Sequence, residues 1–181
     1  MERSRTIPVG LVLERRKIDN PWQDHRWNAV SVIVGAPEVR EWILLDKSDG
    51  VERYHAATLP LTLYRKETES YKVNLSGQPS VYVVLRADDD PDSPFEVYPF
   101  LATASAYEAQ DYLDSGEETV ESVPMPEGLI AWVQDFCDTH HEDEVFIKRK
   151  RSDHRHEQDK FGRRPLIDEK GSRMPGRRRL D

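Results

Sequence analysis

The sequence predicts an α+β protein: a curled, mostly antiparallel sheet or small barrel of six to seven strands, two or three helices, and a disordered basic C-terminal tail. Short runs of β-branched and aromatic residues, separated by turn signals, recur along the first 147 positions of the 181-residue chain. Two segments carry residues that begin and end helices. Residues 148–181 have few bulky apolar side chains. We therefore expect one acidic domain over residues 1–147 and a tail over residues 148–181.

Strand signals dominate the N-terminal part of the chain. Apolar runs predict strands at 7–14, 27–34, 40–46 and 58–64. Turn residues separate the second, third and fourth runs. Pro60 lacks the N–H that a ladder requires, so the strand at 58–64 is expected at a sheet edge or paired on one side only.

The middle of the chain contains one ambiguous segment. Residues 68–75 fit either a strand or a short helix, and their glutamate-rich start favours the helix. Strands are predicted at 80–86, where β-branched and aromatic residues dominate, and at 95–104.

Helix signals mark the end of the domain. Ser105 and Glu108 form a capping-box pattern, which predicts a helix that runs to about residue 114 and stops at Gly116. A short strand is predicted at 118–123. Pro126 opens the last helix, whose apolar residues recur at helical spacing to near His140.

Charge and cysteine content limit the class of protein. Residues 148–181 hold 13 basic and 6 acidic residues, a net of +7, whereas residues 1–147 hold 13 and 28, a net of −15. No apolar run approaches the roughly 18 residues of a transmembrane helix, and no signal-peptide core is present. The single cysteine, Cys137, excludes an internal disulfide and a thiolate zinc cluster. These features predict a cytoplasmic protein without a membrane association.

Catalytic and nucleotide motifs are missing from the sequence. There is no Gly-x-Gly-x-x-Gly and no Gly-x-Ser-x-Gly segment. The acidic loop 88–92 has Ser93 and Pro99 where a calcium loop needs Gly and Glu. Cys137 and His141 share a helix face that suits a metal, but a packed cysteine on the apolar stripe is the simpler interpretation. We therefore predict no catalytic residue, no metal site and no resident cofactor.

The segment 20–27 is the strongest candidate for a contact surface. Its two tryptophans either anchor the turn onto the core or contact a partner, since Trp and Arg dominate binding hot spots. An enzyme would instead need a pocket of convergent polar groups, for which Asp24, His25, Tyr54 and His55 are the candidates. The predicted partner-binding residues are Trp22, Asp24, His25, Arg26, Trp27, Arg53, His55, Arg65 and Lys66.

The basic tail has three interpretations. It solubilises the protein, docks onto an acidic protein surface, or binds nucleic acid. The acidic domain would repel phosphates and the tail has few aromatic side chains, which argues against nucleic acid. The predicted tail contacts are Lys148, Arg149, Lys150, Arg151, Arg177, Arg178 and Arg179.

Several segments together resemble a known bacterial family, domain of unknown function 3305, over roughly residues 7–150. They are Asn20-Pro-Trp-Gln-Asp-His-Arg-Trp27, Arg53-Tyr-His-Ala56, Thr58-Leu-Pro-Leu61, Arg65-Lys-Glu-Thr68, Asn74-Leu-Ser76, Ser80-Val-Tyr-Val-Val-Leu85, Ala106-Tyr-Glu-Ala-Gln-Asp-Tyr-Leu-Asp-Ser115 and Met125-Pro-Glu-Gly-Leu-Ile-Ala-Trp-Val-Gln-Asp-Phe136.

The resemblance implies a role near formate dehydrogenase, because family members tend to be encoded beside its subunits. It implies a non-catalytic accessory factor that binds a partner protein, such as a formate dehydrogenase subunit, while a molybdenum- or tungsten-dependent enzyme matures. The family is also often labelled as molybdenum-cofactor guanylyltransferases. This label implies the alternative of a cofactor-pathway enzyme or carrier with the molybdenum cofactor as ligand. Here residues 15–19 are Arg-Arg-Lys-Ile-Asp, where such transferases carry a Gly-rich loop.

Overall fold

A computed structural model describes residues 3–142 and confirms the predicted α+β class. Within this range three α-helices and seven strands are present, and the strands form two antiparallel sheets that do not close into a barrel. The strands are β1 (Ser4–Lys17), β2 (His25–Val34), β3 (Ile43–Ser48), β4 (Val51–Tyr64), β5 (Ser80–Ala87), β6 (Val97–Thr103) and β7 (Thr119–Pro124). The helices are α1 (Thr68–Ser76), α2 (Ala106–Ser115) and α3 (Glu127–His140).

The first sheet has the strand order β2-β1-β4-β3. Its central strands β1 and β4 pair from Ser4↔Tyr64 to Arg16↔Val51. The apolar run Val9–Leu13 lies at the middle of β1 and is buried on both faces of the sheet, which explains its lack of alternation. Strand β3 pairs only with the first residues of β4. Pro60 therefore lies where β4 has a single strand neighbour among the described residues, as predicted.

The second sheet has the order β6-β5-β7 and is connected to α1 by a buried asparagine. The amide of Asn74 donates to the carbonyl oxygens of Ser80 (2.8 Å) and Ala104 (2.9 Å), and its oxygen accepts the N–H of Ser80 at 3.0 Å. Every polar atom of this side chain thus has a partner, which allows it to be buried.

The segment 68–75, for which the sequence allowed a strand or a helix and favoured the helix, is helical. Tyr71 of α1 is fully buried, packs near Phe136 of α3, and accepts the backbone N–H of Tyr64 at 2.9 Å. Its hydroxyl donates to Glu67 at 3.0 Å. Packing against α3 decides between the two structures that the local sequence left open.

Only one of the two hydrogen bonds of the predicted capping box forms at the N-terminus of α2. Ser105 Oγ accepts the N–H of Glu108 at 3.1 Å, as expected for an N-cap. The Glu108 carboxylate accepts instead from the hydroxyl of Thr103 (2.6 Å), whose oxygen also accepts the N–H of Ser105 at 3.1 Å. Gly116 ends the helix with φ of 69°, in the left-handed region.

No helix within residues 3–142 is long and apolar enough to cross a membrane.

Candidate functional site

Two chain reversals meet at one end of the first sheet. The β1–β2 loop (residues 18–24) and the β3–β4 turn (residues 49–50) are joined because the N–H of Lys17 donates to the carbonyl of Gly50 at 2.8 Å. Gly50 has φ of 70°, which favours glycine at this position. We call this region the hairpin end. It contains most of the predicted contact residues.

The two faces of the sheet differ at the hairpin end. Arg15 and Lys17 of β1 share one face with their partners Trp27 and His25 of β2. We call this the aromatic face. Val12 shares the opposite face with its partner His55, and we call this the His55 face.

Four rings from distant segments form a cluster on the aromatic face: Trp27, Trp42, Tyr54 and Phe95. The rings of Trp42 and Phe95 stack with centroids 3.9 Å apart, and Trp27 meets both edge-on at 5.4 and 5.9 Å. The Arg15 guanidinium carbon lies 5.6–5.8 Å from the Trp27, Tyr54 and Phe95 centroids, within cation–π range. Trp27 therefore anchors segment 20–27 to the ring cluster and supports any contact surface of this segment by holding its backbone in place.

Glu96 fixes the polar edge of this cluster. Its carboxylate accepts from Trp27 Nε1 at 2.7 Å and contacts His25 Nδ1 at 3.0 Å. Because a carboxylate only accepts, His25 presents Nδ1–H to it. Burial raises the pKa of Glu96, but the hydrogen bonds from His25 and Trp27 outweigh burial and lower the pKa below its usual value.

A charged cluster lies beside the rings. Glu52 accepts from the hydroxyl of Tyr54 at 2.6 Å and from Arg15 Nε at 3.0 Å, and Lys47 Nζ lies 3.2 Å from its other oxygen. These hydrogen bonds, first that of Tyr54 and then those of Arg15 and Lys47, lower the pKa of Glu52 to about 2. Burial and the bond to Glu52 raise the pKa of the Tyr54 hydroxyl. Glu52 is thus an anion at every physiological pH.

A pocket of about 120 Å³ lies between the two reversals. Its charged lining consists of the three cations Arg15, Lys17 and Lys47 and one carboxylate, Glu52. The rest of its wall is formed by His25, Ser48, Gly50 and Val51. A cationic pocket in a domain with 28 acidic and 13 basic residues is a local reversal of charge.

Trp22 projects from the β1–β2 loop and is 89% exposed. The loop around it is ordered by local bonds: Asn20 Oδ1 accepts the N–H of Trp22 at 2.9 Å, and the N–H of Ile18 donates to the carbonyl of Asp24 at 3.1 Å. Asp24 and Arg26 are also exposed. The two interpretations of segment 20–27 therefore apply to different residues, since Trp27 anchors the segment and Trp22 faces solvent.

His55 lies on the opposite face from His25 and is buried. Its Nε2 is 3.0 Å from Thr58 Oγ1, and this hydroxyl donates to the carbonyl of Pro37 at 2.6 Å. The Thr58 hydroxyl has one proton, so His55 Nε2 is the donor to Thr58. The two histidines do not converge, so the polar pocket expected for an enzyme at Asp24, His25, Tyr54 and His55 is not formed.

The other charged residues of the predicted surface are divided along β4. Arg53 is exposed at the hairpin end and donates to Glu14 at 2.9 Å; this bond contributes most to a lowered pKa of Glu14. Arg65 and Lys66 lie just beyond the other end of β4, about 35–40 Å away at roughly 3.3 Å per residue. Arg65 pairs there with Glu142. One compact interface at the hairpin end does not include Arg65 or Lys66.

The sulfur and acidic candidates have structural roles in the described part of the chain. Cys137 is buried beside the carbonyl of Thr68, and burial raises the pKa of its thiol to about 11. Asp88 and Asp90 accept backbone N–H groups two residues ahead at 3.1 and 3.0 Å, as in an ordinary turn. Residues 3–142 contain no group of three His, Cys, Asp or Glu side chains placed to hold a metal.

The predicted tail contacts lie outside the described residues. They are Lys148, Arg149, Lys150, Arg151, Arg177, Arg178 and Arg179. The domain boundary at residue 147 also lies outside them and stays a prediction.

Sequence reasoning missed most of the pocket and of the ring cluster. Lys17, Lys47 and Glu52 carry no distinguishing signal in the sequence, because charged residues near turns are common on any surface. The strands predicted at 40–46 and 95–104 include Trp42 and Phe95, which is wrong for both residues, because they precede β3 and β6 and pack into the ring cluster instead. The available signal was the density of aromatic residues, because large rings next to turns bury area only by meeting other rings.

The fold and the hairpin end define an antiparallel two-sheet α+β domain with a braced, exposed aromatic loop beside a cationic pocket. The family model described as "Protein of unknown function (DUF3305)" matches residues 8–151, so the chain belongs to this family. Searches of the curated proteins and of the solved structures gave no match.

Proposed function

We propose that this protein is a non-catalytic accessory factor that binds a partner protein through its hairpin end. The observation that carries this proposal is Trp22, whose large apolar side chain is 89% exposed on a braced loop. Burying such a ring against a partner removes apolar surface from water, and Trp is enriched among residues that dominate binding energy.

The loop is suited to binding because little order has to be gained on contact. The Asn20 turn and the Ile18–Asp24 bond already fix the backbone on both sides of Trp22. Trp27 fixes the following strand by packing and by its bond to Glu96. A preorganised loop loses less conformational entropy on binding, which strengthens association for the same contact area.

The partner that we propose is a subunit of a molybdenum- or tungsten-dependent formate dehydrogenase, and the setting is the cytoplasm during its maturation. Support for this choice of enzyme is only what the family resemblance implies, namely that members tend to be encoded beside formate dehydrogenase subunits. The accessory factor needs no resident cofactor in this proposal.

The test is anaerobic affinity capture from the native host with three baits. These are the unaltered chain, Trp22→Ala, and the control Tyr107→Ala, which truncates another exposed aromatic residue on α2. We expect a formate dehydrogenase subunit with the unaltered and control baits and a much reduced yield with Trp22→Ala. Equal capture by all three baits would contradict the role of the hairpin end. Capture of a different protein would contradict the proposed partner.

One observation favours the alternative of a molybdenum-cofactor enzyme or carrier. The pocket lined by Arg15, Lys17 and Lys47 has the charge that an anionic cofactor or nucleotide requires. A pterin or nucleotide that co-purifies with the bait, without a protein partner, would support this alternative over the accessory role.

A further inference from the structure

We propose that the pocket between the two reversals of the hairpin end is a binding site for a single oxyanion group. The group is a carboxylate on an acidic segment of the partner protein or a free anion of the same chemistry. This inference deepens the proposed function, because the pocket-lining residues Lys17 and His25 directly flank the loop that carries Trp22.

The cations that line the pocket have unused hydrogen-bond donors. Arg15 uses Nε and one terminal nitrogen on Glu52 and Tyr54, which leaves Nη1 with two hydrogens. Lys47 directs one of its three donors at Glu52. Lys17 also lines the pocket, and its ammonium group has no hydrogen-bond or ion-pair partner among the described residues, so its three donors are available. An oxyanion would therefore meet several donors from three separate positions.

The guanidinium of Arg15 is held in place before any ligand arrives. Arg15 is fixed from below by the rings of Trp27, Tyr54 and Phe95 and from the side by Glu52. Its side chain is only 20% exposed. Because a guanidinium fixed in a partly buried position is screened less by water, its hydrogen bonds to an anion are stronger than those of an exposed lysine.

The size and the charge of the pocket both fit a single oxyanion group. A pocket of about 120 Å³ has room for one carboxylate or one tetrahedral oxyanion, such as a single phosphate group of a larger anion. Three cations against one carboxylate leave the lining with a net charge of about +2. The basic segment 148–181, with a net of +7, is the wrong charge to fill it, which favours an acidic ligand from outside the chain.

The test uses the full chain, isotope-labelled, with amide NMR titrations of two probes. One probe is inorganic phosphate and the other is a capped peptide of six glutamates. Each is titrated into the unaltered chain, Lys17→Gln, and the matched control Lys66→Gln, an exposed lysine beyond the far end of β4. Lys17 is exposed, and unchanged amide signals outside the hairpin end check that its variant is folded.

We expect saturable shifts at residues 47–52 with a Kd on the order of 1 mM, weakened about tenfold by Lys17→Gln and unaffected by Lys66→Gln. Shifts with both probes show recognition of the group itself, and shifts with the peptide alone assign it to a protein carboxylate. No saturable shift with either probe, or equal weakening by the two lysine variants, overturns the site. The capture experiment with Trp22→Ala is independent of this result, so a failure of the pocket is distinguishable from a failure of the accessory role.

Discussion

The indole N–H of Trp27 in the first sheet donates to Glu96, in the loop before β6 of the second sheet, at 2.7 Å. This bond joins the two sheets at the polar edge of the ring cluster. The same carboxylate is 3.0 Å from Nδ1 of His25, which is the first residue of β2 and directly follows the β1–β2 loop. The two bonds join residues that are 69 and 71 positions apart in the sequence. The position of the exposed loop thus depends on a contact between distant segments of the chain.

Trp27→Phe is expected to lower the free energy of unfolding by about 1–3 kcal/mol, because the variant removes the indole donor and part of a packed ring. Trp22→Phe is the matched control, and its effect should be within about 0.5 kcal/mol since that side chain faces solvent. Urea denaturation followed by circular dichroism measures both. Equal losses of stability would contradict the different roles of the two tryptophans.

Glu52→Gln is expected to make stability depend less on pH at the acid end. The folded-state pKa of about 2 lies below the ordinary value of 4.5, so the ionised carboxylate stabilises the fold above about pH 4.5. This stabilisation is lost as the pH falls from 4.5 towards 2. The variant should therefore be less stable than the unaltered chain at pH 7, and the difference should shrink across that window.

Denaturation in urea at a series of pH values checks this dependence. The control is Glu117→Gln, which removes an exposed carboxylate far along the chain from the hairpin end. The control should not reproduce the narrowing gap. A difference between Glu52→Gln and the unaltered chain that stays constant from pH 7 to pH 2 would show that the carboxylate is not held by Tyr54, Arg15 and Lys47.

The sequence was sufficient to predict the middle of the strands but not their ends. The apolar run predicted β1 over 7–14, whereas the strand continues to Lys17 because Arg15 pairs across to Glu52 of β4. For the same reason β4 begins at Val51, seven residues before the predicted start at 58. The pairing of two charged strand ends depends on contacts between distant parts of the chain. Hydrophobic periodicity therefore does not predict where these strands end.

The candidate site was predictable only in part for a related reason. Trp22 and Arg26 could be identified from residue type and a turn-like context. The ring cluster beneath them combines positions 27, 42, 54 and 95, whose approach depends on how the two sheets meet. The faces of the sheet decide the rest: the ordinary alternation of a strand places Tyr54, the partner of Leu13, and His55, the partner of Val12, on opposite faces, so two neighbours in the sequence belong to different surroundings.

Asn74→Asp is expected to destabilise the protein by about 3 kcal/mol or more, although the two side chains have the same shape. The amide nitrogen donates to the carbonyls of Ser80 and Ala104. An aspartate would place an acceptor against both, which leaves three buried oxygens without donors. Thermal unfolding of Asn74→Asp and of the control Asn20→Asp, in the exposed loop, measures the difference. A small loss at residue 74 would mean that water replaces the amide there.

Gly10→Ala is expected to destabilise the fold by about 1–3 kcal/mol because the site has no room for a methyl group. An added Cβ would lie 2.8 Å from the Cβ of Ala36 and 2.8 Å from His55 Nε2, and His55 is held by its bond to Thr58. The control is Gly128→Ala in the first turn of α3, where an added Cβ has no neighbour within 4 Å. That variant should be neutral or more stable by up to about 1 kcal/mol, since alanine favours helix. Because the same substitution is expected to have opposite signs at the two positions, a loss of similar size at both would show that the close approach of Gly10 to His55 does not limit the packing of this sheet.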